Sequence, residues 1–150
     1  VVNILATEYS LRHKALELYV AGCKGPHCPG CHNPETWSFD QGVPFDTVTK
    51  REIETKIKDF AHMIDNIWVL GGEPIDQDRK ALEELLSFLR GFRPVWLFTR
   101  YELSEVSENI LCHCSYVKTG RYNEDKLVDD NVQHGVKLAS SNQKIHRLNN

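Results

Sequence analysis

A chain of 150 residues, 26% charged and 41% hydrophobic, has the size and balance of one globular domain with its own core, so 1–150 is read as a single domain. A net charge of −3 gives no general pull toward nucleic acid, and the apolar runs are too short for a membrane span. Five cysteines, an odd number in a chain too large to need staples, argue against a disulfide framework; with no basic, apolar leader visible, a cytoplasmic setting is expected.

In chain order, residues 16–22 read as a strand that runs into a loop over 21–33. Residues 34–44, with Pro, Gly and Asp, read as loop. Thr49 and Glu52 have capping-box spacing, with Asp46 a rival N-cap, and Ile53, Ile57, Phe60, Ala61 and Ile64 follow at helical spacing. Residues 66–74 form a second strand that stops at Gly71 and Gly72. Leu82, Leu85, Leu86 and Leu89 make one helical stripe, with Asp76 to cap its start and Gly91 its end. A third strand is expected over 94–99, a short helix over 101–111, a fourth strand over 115–120, a possible fifth over 136–139, and a last helix and tail over 143–150. Strands alternating with helices predict an α/β fold with a mostly parallel sheet. Too few units are present for a full eight-stranded barrel, so an open, partial βα barrel is expected, with ligands beyond the carboxyl ends of the strands.

Three features meet at those ends. The first is the loop with Cys23, Cys28 and Cys31. Three thiolates suit a 4Fe–4S cluster with one iron left open for a substrate. A zinc site with His27 or His32 as fourth ligand remains an alternative, as does an electron carrier completed by Cys112 or Cys114. The second feature is Gly71–Gly72–Glu73–Pro74, by itself a plain strand-to-helix turn, whose glycines allow close backbone approach. The third is Thr99–Arg100–Tyr101. Cys112 and Cys114, one residue apart, read as idle thiols, and Trp37, Trp68 and Trp96 as packing.

The three-cysteine loop and the GGE turn together resemble the radical S-adenosylmethionine enzymes. The segments CPGCHNPETW (28–37), VKTGRY (117–122) and SSNQKI (140–145) are similar to the anaerobic (class III) ribonucleotide reductase activating proteins. The resemblance implies a 4Fe–4S cluster on Cys23, Cys28 and Cys31, with S-adenosylmethionine on its open iron. Gly30, His32 and Asn33 would lie against that cofactor; Gly71, Gly72 and Glu73 would meet its methionine amino group; Thr99 and Lys118 are further candidates, Lys118 toward the carboxylate. It also implies the reaction: reductive cleavage of S-adenosylmethionine, then hydrogen abstraction by the 5′-deoxyadenosyl radical from a backbone glycine of the large subunit of an anaerobic ribonucleotide reductase. An electron donor such as flavodoxin or ferredoxin is implied, and no nucleic acid or membrane. The alternatives are a small radical enzyme acting on a peptide or nucleotide-like molecule, or a non-catalytic zinc module. The chain departs from the family pattern in three places. Four residues, not three, separate Cys23 from Cys28; Arg100 and Ala139 stand where glycine is common; and residues 7–14 lack a glycine-rich turn.

Overall fold

The structure is a computed structural model and describes residues 1–31 and 34–150. Its centre is a seven-stranded mixed sheet. Four parallel strands run side by side: β2 (Ala15–Val20), β4 (Asn66–Gly71), β5 (Val95–Phe98) and β6 (Tyr116–Thr119). β1 (Asn3–Ser10) pairs antiparallel with β2, and β3 (Val43–Pro44) antiparallel with β1. β9 (Lys144–Arg147) closes the other side, antiparallel to β6. A separate hairpin joins β7 (Val132–Gln133) to β8 (Val136–Lys137).

The four expected parallel strands are therefore present, and the fold is mixed α/β. The flanking strands differ from expectation. Segment 143–150 is not a helix: Lys144–Arg147 pairs antiparallel with β6, with Ile145 buried and Lys144 and Arg147 exposed. The segment at Val136 belongs to the small hairpin and not to the main sheet. β1 carried no strong signal, since most of its side chains stay partly or fully exposed.

One face of the sheet is covered by helices α1 (Thr47–Asp59), α2 (Arg79–Arg90) and α3 (Glu108–Leu111). Asp46 caps α1 by accepting from Thr49 N (3.0 Å), so the rival N-cap prevails over the capping box. Asp78, not Asp76, caps α2 through Ala81 N (3.0 Å), and Gly91 ends it. The predicted stripe Leu82, Leu85, Leu86 and Leu89 is fully buried against Leu18, Ile67, Val69 and Leu97. Each such leucine contributes roughly 1.5–3 kcal/mol by burial. The α1 stripe holds for Ile53 and Ile57 only; the helix stops at Asp59, and Phe60 lies exposed beyond it. The segment 101–111 splits into a 3₁₀ turn (Leu103–Glu105) and α3.

The opposite face is aromatic. Register places Glu17, Trp68, Trp96 and Tyr116 in one row across β2, β4, β5 and β6. Trp68 and Trp96 are buried as expected, 5.5 Å apart, with Val136, Leu138 and Ile145 packed over them. No helix among the described residues is long and apolar enough to cross a membrane.

Candidate functional site

The carboxyl ends of β2, β4, β5 and β6 share one edge of the sheet. There a cavity of about 450 Å³ opens, extending down the aromatic face to Trp68 and Phe98. Cys23, Cys28 and Cys31 line it, all half-buried and free. Gly71, Gly72 and Glu73 form the next part of the wall, and Thr99 and Lys118 the far part.

The loop and the glycine turn are stitched together by main chain. Gly72 N donates to Val20 O (3.0 Å), Glu73 N to Gly22 O (2.7 Å) and Gly22 N to Thr36 O (2.8 Å). This stitching explains the glycines. A Cβ on Gly72 would collide with the Gly22 carbonyl and stand 2.7 Å from Thr36 O; one on Gly71 would stand 2.5 Å from Val20 N. The bareness of Gly72 serves contact between the two loops and that of Gly71 close approach to strand β2, whereas the sequence suggested space left for a ligand. Gly30 is exposed, and a Cβ there would meet Glu124 Oε2 at 2.6 Å. His32 and Asn33 lie outside the described residues.

Glu73 is buried and spends its carboxylate on the chain. It accepts from Thr99 Oγ1 (2.7 Å), Arg100 N (2.7 Å) and Ile75 N (2.9 Å). Burial pushes its carboxyl up, and these three donors work against that shift. Glu73 thus ties the end of β5 to the turn after β4. Lys118 projects from β6 onto the cavity wall, donating to Gly120 O (2.9 Å) and Thr99 O (3.4 Å). Burial lowers its pKa to about 8, although the charge of Glu73 pulls the other way.

Several residues outside the site residues expected from the sequence complete the site. Asp76 accepts from Lys24 N (2.8 Å), Tyr101 Oη (2.5 Å) and Arg100 (3.2 Å). Gln77 reaches Ala21 O and Glu73 O, each at 3.1 Å. Gln143, within the SSNQ segment, lines the cavity and accepts from Ser140 N (3.0 Å). The available signals were positional: Asp76 stands three residues after Glu73, and Arg100 replaces a commoner glycine.

No group of three or more His, Cys, Asp or Glu among the described residues is placed to hold a single metal ion. His27, the nearby described candidate for a fourth zinc ligand, stacks on Trp37 (3.7 Å) and bonds Cys23 O through Nε2 (3.0 Å). A four-iron cluster is wider than one ion, so its thiolates stand farther apart. Three thiols on one cavity wall, with the cations Arg100 and Lys118 beside them, fit such an anionic group.

Residues 12–146 match the family model described as a 4Fe–4S single-cluster domain. The chain belongs to that family. Among curated proteins it is 30% identical over 140 residues to the anaerobic ribonucleoside-triphosphate reductase-activating protein of Haemophilus influenzae, covering 87% of this chain and 86% of the relative. The protein of the same name from Pasteurella multocida is 30% identical over 142 residues, covering 87% and 85%. The one from Escherichia coli is 28% identical over 138 residues, covering 87% and 86%. No solved structure gave a match. The matched residues include both the cysteine loop and the glycine turn.

Proposed function

We propose that this chain is the iron–sulfur activase of an anaerobic ribonucleotide reductase, working through S-adenosylmethionine. The observation that carries this reading is the meeting of Cys23, Cys28 and Cys31 with the Gly71–Gly72 turn and Lys118 on one cavity, in a chain of the 4Fe–4S single-cluster family. The names of the relatives support the reductase as partner. When bound, a cluster held by three cysteines supplies an electron and an open coordination position, the chemistry that splits S-adenosylmethionine into methionine and a 5′-deoxyadenosyl radical.

The chain's own part is binding, orientation and exclusion of water. Cys23, Cys28 and Cys31 hold the cluster. Gly71, Gly72 and Glu73 form the wall for the methionine amino group, with the Glu73 carboxylate bracing that wall from behind. Lys118 and the nearby Thr99 serve the methionine carboxylate. Gly30 and His32, on either side of Cys31, and Asn33 beyond them lie against the cofactor in this reading. Trp68 and Phe98 close the floor with apolar surface. The sheet in this reading is an open partial barrel and the chain a single domain. The reductase docks over the strand ends and offers its glycine, a flavodoxin or ferredoxin gives the electron, and all of this takes place in the cytoplasm.

The test is anaerobic. Protein reconstituted with iron and sulfide should turn brown and cleave S-adenosylmethionine slowly when reduced. With the reductase added, a glycyl-radical doublet should appear in the partner by electron paramagnetic resonance. Turnover of a small peptide or nucleotide that the reductase does not improve would point to the other radical-enzyme reading. A colourless protein that binds zinc would end both.

A further inference from the structure

The extra residue between Cys23 and Cys28 leaves a spacer of Lys24, Gly25, Pro26 and His27. Each of the four is fixed by the rest of the chain. Lys24 N donates to Asp76 Oδ2 (2.8 Å). Gly25 O and Pro26 O accept from the two terminal nitrogens of Arg100, at 3.2 and 2.7 Å. Pro26 O accepts a second time, from Arg121 (2.9 Å). His27 is held by its stack on Trp37 and its bond to Cys23 O.

Arg100 is the hub. Only 8% of its surface is exposed. Its guanidinium pairs with Asp76 (3.2 Å) and meets Tyr101 Oη (3.2 Å), while its Nε lies 3.8 Å from Glu73 Oε1 with no hydrogen bond of its own. A buried charge is tolerated only when partnered, and here its partners are two carboxylates and the spacer's carbonyls. The planar fork explains why arginine is used: one lysine nitrogen could not serve Gly25 O, Pro26 O, Tyr101 and Asp76 together. Glycine at this position could serve none of them.

We propose that Arg100, seated by Asp76, is the positioning residue of the cluster loop: it fixes the longer spacer before any metal arrives and leaves a positive charge beside the cluster. This rests on the cluster reading above. A nearby cation stabilises the reduced, more negative form of a cluster, so Arg100 should raise the reduction potential.

The test compares wild type with Arg100→Gln and Arg100→Lys, reconstituted anaerobically. Iron per folded chain and the cluster midpoint potential, from a redox titration followed by electron paramagnetic resonance, are the readouts. Arg100→Gln should lose iron several-fold, and its remaining cluster should titrate at a lower potential. Arg100→Lys should recover the potential but not the loading. Wild-type loading in Arg100→Gln overturns the clamp; lost loading with an unchanged potential overturns the electrostatic half; full rescue by lysine overturns the need for a fork. Should Arg100→Gln fail to fold, hydrogen exchange on metal-free wild type decides. A slowly exchanging Lys24 amide supports a loop formed in advance, and an unprotected one overturns it. A wild type that takes up no iron defeats the cluster reading alone, because the exchange result stands without metal.

Discussion

The helix-covered face of the sheet and the rim at its carboxyl edge are built from opposite materials. The face is leucine, isoleucine and valine, where any side chain of similar size and polarity does similar work. The rim is Glu73, Asp76, Thr99 and Arg100, buried polar groups whose value depends on every partner being present. A substitution on the face should therefore lower stability and spare the site. A substitution at the rim should spare most of the stability and spoil the site.

The largest expected effect lies within the rim. Alanine at Cys23, Cys28 or Cys31 should abolish iron binding and cleavage of S-adenosylmethionine, measured by iron content and product chromatography. Changing Cys112 and Cys114 together should leave iron unchanged; if iron is lost there too, a fourth protein ligand exists. Gly72→Val should come close to the cysteine changes, because its side chain collides with Gly22 and Thr36 backbone that carries the loop. Retention of full iron by Gly72→Val would show that the two loops move independently.

Next in size is a change on the face. Leu85→Ala, at a fully buried position, should cost about 2–5 kcal/mol of unfolding free energy. Iron per folded chain should stay at the wild-type value. Equal loss of iron and stability would erase the contrast between face and rim. Smaller again is Thr99→Val. It removes the hydroxyl that donates to Glu73 Oε2 and accepts from Tyr101 N, at a cost of roughly 1–3 kcal/mol. Loading should drop by a small factor, since Arg100 N and Ile75 N still hold Glu73.

The same contrast explains what could be read in advance. The α2 stripe was legible because burial imposes a helical period on residue type, and Leu82, Leu85, Leu86 and Leu89 all follow it. The central strands β4 and β5 were legible because they are apolar nearly throughout and buried along most of their length. The edge strands β1 and β9 were not, since only some of their side chains are buried and the alternation is short. The cysteines and the glycine turn were found by residue type. The local spacing of Asp76 fits a helix cap, but its partners, Lys24, Arg100 and Tyr101, are 52, 24 and 25 residues away. Buried polar networks join distant residues in no fixed period, so periodicity cannot reveal them. Nor could spacing alone have shown that Gly72 faces the neighbouring loop and Gly71 the adjacent strand.

The smallest effect needs no mutation and tests the boundary between face and surface. Cys112 is exposed at the end of α3, whereas Cys114, two residues on, is fully buried and directs its Sγ toward Ile110 O (3.6 Å). Burial pushes the Cys114 thiol up to about 12. An acid whose pKa is raised stays protonated as the pH climbs, so at pH 8 roughly one Cys114 in ten thousand is thiolate, the form that reacts. Alkylation of native protein at pH 8, resolved by peptide mass, should label Cys112 early and Cys114 only on global unfolding. Denaturant should bring the two to equal rates. Early labelling of Cys114 in native protein would mean that the segment after α3 opens on its own, and that the helix-covered face is less uniform than its packing implies.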